Sequence, residues 1–201
     1  MTGVQAIERK EKDLSLRPGK VRRREFEYIR HGTQTLIANF DVVTGQVIHP
    51  NCGDSRNEQD FAQNIRKLIE SDPDTKKWNL IMDCLNTHQS ETLVKLVAKK
   101  ESLDIDLGVK GKSGILQSMK TRAEFLSDPT HKIVFHYTPK HSSWLNQIEI
   151  WFSILMRKLL KRGNFTSTFD LKKRILDFID YFNRTMAKPF KWTYKGKVLA
   201  V

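Results

Sequence analysis

Two short apolar runs in the second half of the chain limit the possible fold more than any other feature. One run is Trp78–Met82 and the other lies within residues 132–139 (KIVFHYTP), and turn-forming residues follow or precede each of them. Runs of this length between turn residues are typical of buried strands. Segments with helical spacing of apolar residues stand between and after the two runs. Strands that alternate with helices in this way predict an α/β protein with a mixed sheet.

The N-terminal third predicts further strands. Residues 3–9 (GVQAIER) are short and alternating enough for one strand, and residues 33–50 (TQTLIANFDVVTGQVIHP) predict a hairpin that turns at Thr44 and Gly45. Between them, residues 10–30 are polar and basic, with Pro18 and Gly19 marking a turn. One face of the hairpin is expected to carry four apolar residues: Leu36, Ala38, Phe40 and Val42.

Five helices are expected from capping residues and from apolar positions three or four residues apart. The first begins after Asp54 or Ser55, and two short ones cover residues 91–100 and about 119–126. The fourth begins near Ser142 or Ser143 and runs through Lys161. The fifth is capped within residues 166–168. The apolar stripes of the first and fifth helices are Phe61, Ile65, Leu68 and Ile69, and Leu171, Ile175, Phe178, Ile179 and Phe182.

The charge balance predicts a polyanionic partner. The 201 residues carry 35 Lys+Arg against 23 Asp+Glu, a formal net charge of +12. Nucleic acid is the first candidate and an anionic membrane surface the second, while a basic surface that only aids solubility is the alternative. The length allows one sizeable domain, which we take to span residues 1–201. Two cysteines without a CxxC motif argue against a disulfide framework and fit a reducing cytoplasm. No apolar run is long enough to span a membrane.

Two carboxylates stand where catalytic groups are often found. Asp83 follows the apolar run Trp78–Met82, and ligands of open α/β sheets bind beyond the carboxyl ends of strands. The alternative is a turn or helix-capping residue. Glu149 interrupts the apolar stretch HSSWLNQIEIWF, and on a helical wheel that puts Leu145 at 0° it falls at about 40°, on the border of the apolar stripe. The alternative for Glu149 is an ion pair with Arg157 or Lys161.

Taken together, Asp83 and Glu149 predict a site for Mg²⁺ or Mn²⁺, since both ions prefer oxygen ligands. Two such ions can activate an attacking oxygen and stabilise the leaving oxygen in the cleavage of a phosphodiester. In a basic protein this points to nuclease or strand-transfer chemistry on DNA.

Two segments resemble the catalytic blocks of a known family. NLIMDCLNTHQS and HYTPKHSSWLNQIEIWFSILMRKLLKRGNF are similar to bacterial transposases of the insertion sequence 630 type, in the mariner-like branch of the Asp-Asp-Glu (DDE) transposases. TGVQAIERK and GTQTLIANFDVVTGQVI resemble the early strands of that family. The resemblance implies an RNase H-like fold, a five-stranded mixed sheet flanked by helices. It also implies Mg²⁺-dependent hydrolysis at transposon ends and attack of the freed 3′-hydroxyl on target DNA.

By this resemblance Asp83 matches the second catalytic aspartate and Glu149 the third acidic residue. The first aspartate of the family lies in an Asp-Glu pair just before the segment that begins here at Met1. The resemblance therefore implies that this chain lacks that aspartate, the central first strand that bears it, and the upstream helix-turn-helix modules. Asp41 is not a substitute and is expected to be a turn or sheet-edge residue. Structural or DNA-positioning roles are expected for Asn86, His88, His136, Lys140, His141 and Asn146.

Three interpretations of the chain follow from the resemblance. It is a catalytic domain whose upstream part is encoded separately, an inactive DNA-binding remnant, or a regulator that associates with a full-length transposase. A self-dimer is expected by analogy with transposases, and so is a location in the bacterial cytoplasm near the nucleoid. Trp192 and Tyr194 are expected to pack on the domain. DNA contacts are expected from three basic clusters: Lys20, Arg22, Arg23 and Arg24; Lys140, Arg157, Lys158, Lys161 and Arg162; and Lys191, Lys195 and Lys197.

Overall fold

A computed structural model describes residues 1–23, 25–139, 142 and 145–189 of the chain. An antiparallel sheet is formed by β1 (Val4–Arg9), β2 (Tyr28–Phe40) and β3 (Val47–Gly53), with β2 in the centre. The predicted strand and hairpin are thus confirmed, and Asp41 lies in the turn, where its carboxylate accepts hydrogen bonds from Val43 N at 2.9 Å and Thr44 Oγ1 at 2.6 Å. Val42, expected on the apolar face of a strand, also lies in this turn and is 44% exposed, because the strand ends at Phe40.

A hairpin arm, residues 10–27, connects β1 to β2. The pairing of β1 with β2 places Ile7 opposite Arg30, and the same register continues into the arm, with Leu14 opposite Arg23 and Arg17 opposite Lys20. Arg17 and Lys20 exchange two backbone hydrogen bonds of 3.2 and 2.9 Å across a two-residue turn. Gly19 in this turn has φ +72°, a conformation that glycine adopts without strain. The turn predicted at Pro18 and Gly19 is therefore confirmed, and the basic connection around it is an extension of the β1–β2 ribbon.

A second sheet consists of two parallel strands. They are β4 (Trp78–Met82) and β5 (Ile133–Tyr137), paired in register from Trp78 opposite Ile133 to Met82 opposite Tyr137. Both were predicted from their apolar runs. In the described part of the chain no hydrogen-bonded strand joins this pair to the antiparallel sheet, so β1 and β4 each have one unpaired edge. The strands of a mixed fold are present, but they form two sheets rather than one.

Helices of the described residues are α1 (Glu58–Ser71), α2 (Glu91–Lys100), α3 (Met119–Leu126), α4 (Ile148–Lys158) and α5 (Thr168–Thr185). The ranges predicted for α2 and α3 and the apolar stripe of α5 are confirmed. The cap predicted for α1 at Asp54 or Ser55 is wrong, since Asn57 caps this helix in a reciprocal arrangement with Asp60. None of these helices combines the length and the apolar character needed for a membrane crossing.

The predicted bounds of α4 are also wrong. The helix begins at Ile148 and ends at Lys158, and residues 160–162 form a separate 3₁₀ turn. Upstream of α4 the backbone makes bonds between residues three apart, such as Leu145 N to Ser142 O at 3.0 Å. The Asn146 side chain accepts from Ile148 N at 3.4 Å, and such local bonds compete with helix formation.

Each sheet has its own apolar core, although α1 also contacts β3. α4 and α5 cover the antiparallel sheet, and their fully buried side chains include Trp151, Leu155 and Leu171. α1, α2 and α3 surround the parallel pair, where Phe135 and Leu93 are both inaccessible to solvent. Two apolar cores of this kind stabilise the two halves of the described structure by burial.

Two side-chain amides, of which Asn64 is buried and Asn183 half-buried, connect these helices to the β2–β3 hairpin. Asn64 of α1, 1% exposed, donates to His49 O at 2.7 Å and accepts from Asn39 Nδ2 at 3.0 Å. Asn183 of α5 accepts from Val47 N at 2.9 Å and donates to Val47 O at 2.8 Å. Asn183 thus satisfies both backbone groups at the start of β3, as a neighbouring strand would.

Candidate active site

Asp83 lies directly after the last residue of β4, as the sequence predicts. It is not a helix cap, because Leu85 precedes the 3₁₀ turn Asn86–Gln89 and Ser90 caps α2. Its side chain is 34% exposed, but the Oδ1 atom itself is buried, and His88 Nδ1 lies 2.6 Å from it.

His88 is the neighbour that governs the charge of Asp83. The Nδ1 atom of His88 lies 2.6 Å from Asp83 Oδ1, while the Nδ1–H is aligned with the Asp83 carbonyl oxygen at 3.1 Å. His88 thereby holds the pKa of the Asp83 carboxyl below its usual value, against the opposing effect of partial burial. Asp83 is therefore ionised at neutral pH, which is the state a metal ligand requires.

The His88 ring is fixed from two other sides. It stacks on Phe61 of α1 with ring centroids 4.4 Å apart, and the Tyr137 hydroxyl donates to the His88 carbonyl at 2.9 Å. Burial raises the pKa of Tyr137, so this hydroxyl keeps its proton. The ends of both parallel strands and α1 together set the position of the ring beside Asp83.

Glu149 lies in the first turn of α4 and is exposed. The expectation that Glu149 lies on the border of the buried stripe is wrong. The stripe centres on Trp151 and Leu155, and Glu149 lies about 160° around the helix axis from Trp151. Leu145, from which the wheel was started, is outside α4. Among the described residues Glu149 forms no ion pair, so the alternative of a pair with Arg157 or Lys161 is not observed there.

The charges of Asp83 and Glu149 both act on the amino group of Met1. This group donates to Leu36 O at 2.9 Å. Burial lowers its pKa, the charge of Arg56 lowers it further, and the negative charges of Glu149 and Asp83 act in the opposite direction. Asp83 and Glu149 therefore lie close enough to the same point to act on one charge. Neither Met1 nor Arg56 was singled out from the sequence, because they share no spacing or motif with the carboxylates.

A divalent metal fits the donors in this neighbourhood in part. Mg²⁺ is commonly held by one or two carboxylates, with substrate phosphates and water as the other ligands. Asp83, whose carboxyl is ionised and partly exposed, and the exposed Glu149 meet that description. No group of three or more His, Cys, Asp or Glu that could hold a metal occurs within the residues described. Asp83 and Glu149 thus provide two carboxylate ligands, and the described residues do not complete the coordination of a metal ion.

The other residues of the resembling blocks have separate locations. His136 contacts Asn79 across the parallel strands, Nε2 to Oδ1 at 3.0 Å, and Asn86 is exposed in the 3₁₀ turn. Asn146 precedes α4 as a local hydrogen-bonding residue, as described above. Lys140 and His141 lie outside the described residues. His88 was expected to act as a loop or DNA-positioning residue, and its contact with Asp83 could not be read from the five-residue separation alone.

The basic residues expected to bind DNA fall on two surfaces. Lys20, Arg22 and Arg23 are exposed on the hairpin arm, and Arg22 forms an ion pair with Asp13 at 2.7 Å. The other described group is exposed at the end of α4 and in the following turn, where its members form no ion pairs among the described residues: Arg157, Lys158, Lys161 and Arg162. Arg24, Lys191, Trp192, Tyr194, Lys195 and Lys197 lie outside the described residues.

Comparison with known protein families identifies the superfamily of the chain. The family model described as DDE superfamily endonuclease matches residues 1–172, a range that contains both sheets, Asp83 and Glu149. Searches of curated proteins and of solved structures find no match to the chain. Since the family model covers most of the sequence, the chain belongs to the DDE superfamily of endonucleases.

Proposed function

We propose that this chain is the catalytic domain of a transposase of the insertion sequence 630 type. It would cut DNA at transposon ends and join the freed 3′ end to target DNA. The observation that carries the proposal is the position of Asp83 directly after β4, with its carboxyl kept ionised by His88, in a chain whose residues 1–172 match the DDE superfamily endonuclease model. A cytoplasmic, nucleoid-associated location and a dimer with itself or a full-length transposase belong to the same proposal.

The arrangement of strands supports an RNase H-like sheet for this function. β1 and β4 each have an open edge in the described structure. A strand between them would join the antiparallel and parallel pairs into one mixed sheet, and open strand edges favour such an addition. We propose that a segment outside these 201 residues provides this strand together with the remaining carboxylate.

In the proposed mechanism Asp83 and Glu149 hold Mg²⁺ or Mn²⁺, which when bound neutralises charge on the scissile phosphate. Asp83 is kept ionised by His88 and held at the strand end by the β4–β5 pair. Glu149 is presented by a helix whose buried side anchors on Trp151, so its backbone position is fixed while its carboxylate reaches solvent.

Metal binding is the direct test of the two ligands. Titration of the protein with Mn²⁺ in the presence of a duplex oligonucleotide, followed by electron paramagnetic resonance, is expected to show a bound ion. Asp83→Asn and Glu149→Gln are each expected to weaken binding at least about tenfold. Glu124→Gln, another exposed glutamate on a helix, is the matched control and should leave binding unchanged. Equal binding by all four proteins would exclude this site.

A second candidate function is DNA binding without cleavage, as in a regulator of a complete transposase. It is favoured by the lack of a three-residue metal cluster among the described residues. Accordingly, the 201-residue chain alone is expected to nick supercoiled plasmid little or not at all with Mg²⁺. Robust nicking that EDTA, Asp83→Asn or Glu149→Gln abolishes would show that two carboxylates suffice and would reject the regulator.

A further inference from the structure

The hairpin arm is a regular structure that contributes nothing to either core. None of its described residues is buried, and Leu14, Leu16 and Val21 are 63%, 75% and 78% exposed. Its ion pairs stay within the arm: Lys10 with Glu27 at 2.8 Å and Arg22 with Asp13 at 2.7 Å. A ribbon that keeps its register without packing on the domain is available to bind a partner.

Charge is distributed unevenly along the arm. The base of the arm contains all four of its acidic residues, Glu11, Asp13, Glu25 and Glu27. Two of these acids are in ion pairs, Asp13 with Arg22 and Glu27 with Lys10. Residues 14–24 contain five Lys or Arg and no acid. Arg17 and Lys20 flank the turn and form no ion pair with any residue that the structure describes. The tip of the arm is therefore a concentrated positive charge held away from the body.

The two faces of the ribbon also differ. Directly opposed residues share a face, and faces alternate along each strand. The observed register therefore places Leu14, Leu16, Val21 and Arg23 on one face and Arg17, Lys20 and Arg22 on the other. Each strand of the arm has about nine residues, so it can reach at most roughly 30 Å from the sheet.

We propose that the arm binds duplex DNA by inserting its tip into the major groove. The major groove of B-form DNA is about 12 Å wide and admits a two-stranded ribbon. Arg17 and Lys20 would contact phosphates at the groove edges, while Leu16 and Val21 would contact apolar groups such as thymine methyls. The proposal rests on the proposed function only in taking DNA as the substrate. The arm would be a DNA contact separate from Asp83 and Glu149.

A second copy of the chain is a less suitable occupant. The apolar face could pack on another arm, but this would bring together Arg17 and Lys20 of two tips, which form no ion pair with any described residue. Phosphates supply the missing negative charge, which favours DNA.

The salt dependence of DNA binding measures the phosphate contacts directly. Affinity of the 201-residue chain for a fluorescent 30-base-pair random duplex is measured by anisotropy at several NaCl concentrations. Each lost phosphate contact lowers the slope of log K against log salt by about 0.9, so Arg17→Ala/Lys20→Ala is expected to lower it by about 1.8. The control Lys99→Ala/Lys120→Ala removes the same charge from exposed helix positions in the other half of the structure and should change the slope by less than half as much.

The groove is identified in the same assay. Methylation of guanine N7, which lies in the major groove, is expected to weaken binding by the wild type and not by the arm variant. Competition by distamycin, a minor-groove ligand, with no effect of N7 methylation would overturn the groove assignment. A slope unchanged in the arm variant relative to the control would overturn the arm as a DNA contact.

Two further outcomes distinguish failure of the proposed function from failure of the arm as a DNA contact. Complete failure of the wild type to bind duplex DNA at low salt would reject the proposed function itself. A wild-type dimer that Leu16→Ser/Val21→Ser converts to monomer in sedimentation, with DNA binding unchanged, would show that the arm binds a second copy and would overturn the DNA proposal.

Discussion

Replacing Trp151 with alanine is expected to lower the free energy of unfolding by about 3–5 kcal/mol. Trp151 is 1% exposed, and its ring packs edge-on against Phe152 and Phe182 with centroid distances of 5.7 and 6.0 Å. A buried tryptophan removes about 150–250 Å² from solvent, equivalent to roughly 4–6 kcal/mol of transfer free energy at about 25 cal/mol per Å². Because small domains have about 5–15 kcal/mol of total stability, this loss is a large share of it.

Trp151→Phe is expected to change the free energy of unfolding by no more than about 1.5 kcal/mol. The Nε1 atom of Trp151 is buried without a hydrogen-bond partner. Phenylalanine removes this unsatisfied donor, which offsets part of the contact area it loses. The pair of variants therefore separates the effect of ring volume from the effect of the indole nitrogen.

The assay is urea unfolding followed by far-ultraviolet circular dichroism, which avoids interference from the other tryptophans. Ile150→Ala is the matched control, since Ile150 lies next to Trp151 on α4 but is 48% exposed, and it should change stability by less than about 0.5 kcal/mol. A loss below about 1 kcal/mol for Trp151→Ala, or equal losses for Trp151→Ala and Ile150→Ala, would refute the buried position of Trp151 and the orientation of Glu149 derived from it.

Two other predictions concern the polar contacts and the thiols. Asn64→Ala removes the bonds to His49 and Asn39 and is expected to lower stability by about 1–3 kcal/mol; an unchanged urea midpoint would contradict this. Cys84 is exposed, whereas Cys52 is 3% exposed and burial raises the pKa of its thiol. At pH 8 a thiol reagent should therefore modify Cys84 rapidly and Cys52 only in urea, and two rapidly reacting thiols in the native protein would show that Cys52 is accessible.

The elements predicted from sequence were those whose pattern is local. β4 and β5 follow from apolar runs, and α2 and α5 follow from capping residues and helical spacing. α4 was misplaced because Asn146 and the turns before it compete with the helix, a local hydrogen-bonding choice that hydrophobic spacing does not report. The turn of the arm at Pro18 and Gly19 was predicted, but its pairing as a ribbon was not, since its register depends on pairing that starts in β1 and β2.

The candidate site was predictable to the level of two residues. Asp83 could be singled out because a strand end is recognisable from sequence, and Glu149 because it interrupts an apolar stretch. The exposure of Glu149 could not be predicted, since it depends on which side of α4 faces the antiparallel sheet. The contact of His88 with Asp83 depends on a 3₁₀ turn and on stacking against Phe61, both of which arise from tertiary packing.

The bonds between Asn183 and Val47 also constrain the order in which the protein can fold. They join residues 136 positions apart, so the entropy of closing a very long loop must be overcome before the start of β3 is satisfied. During synthesis the β2–β3 hairpin can form early, but the N–H and C=O of Val47 can bond to Asn183 only after α5 has been synthesised. Contacts between residues so far apart in sequence slow folding. Until α5 packs on the hairpin, these two backbone groups must form hydrogen bonds with water.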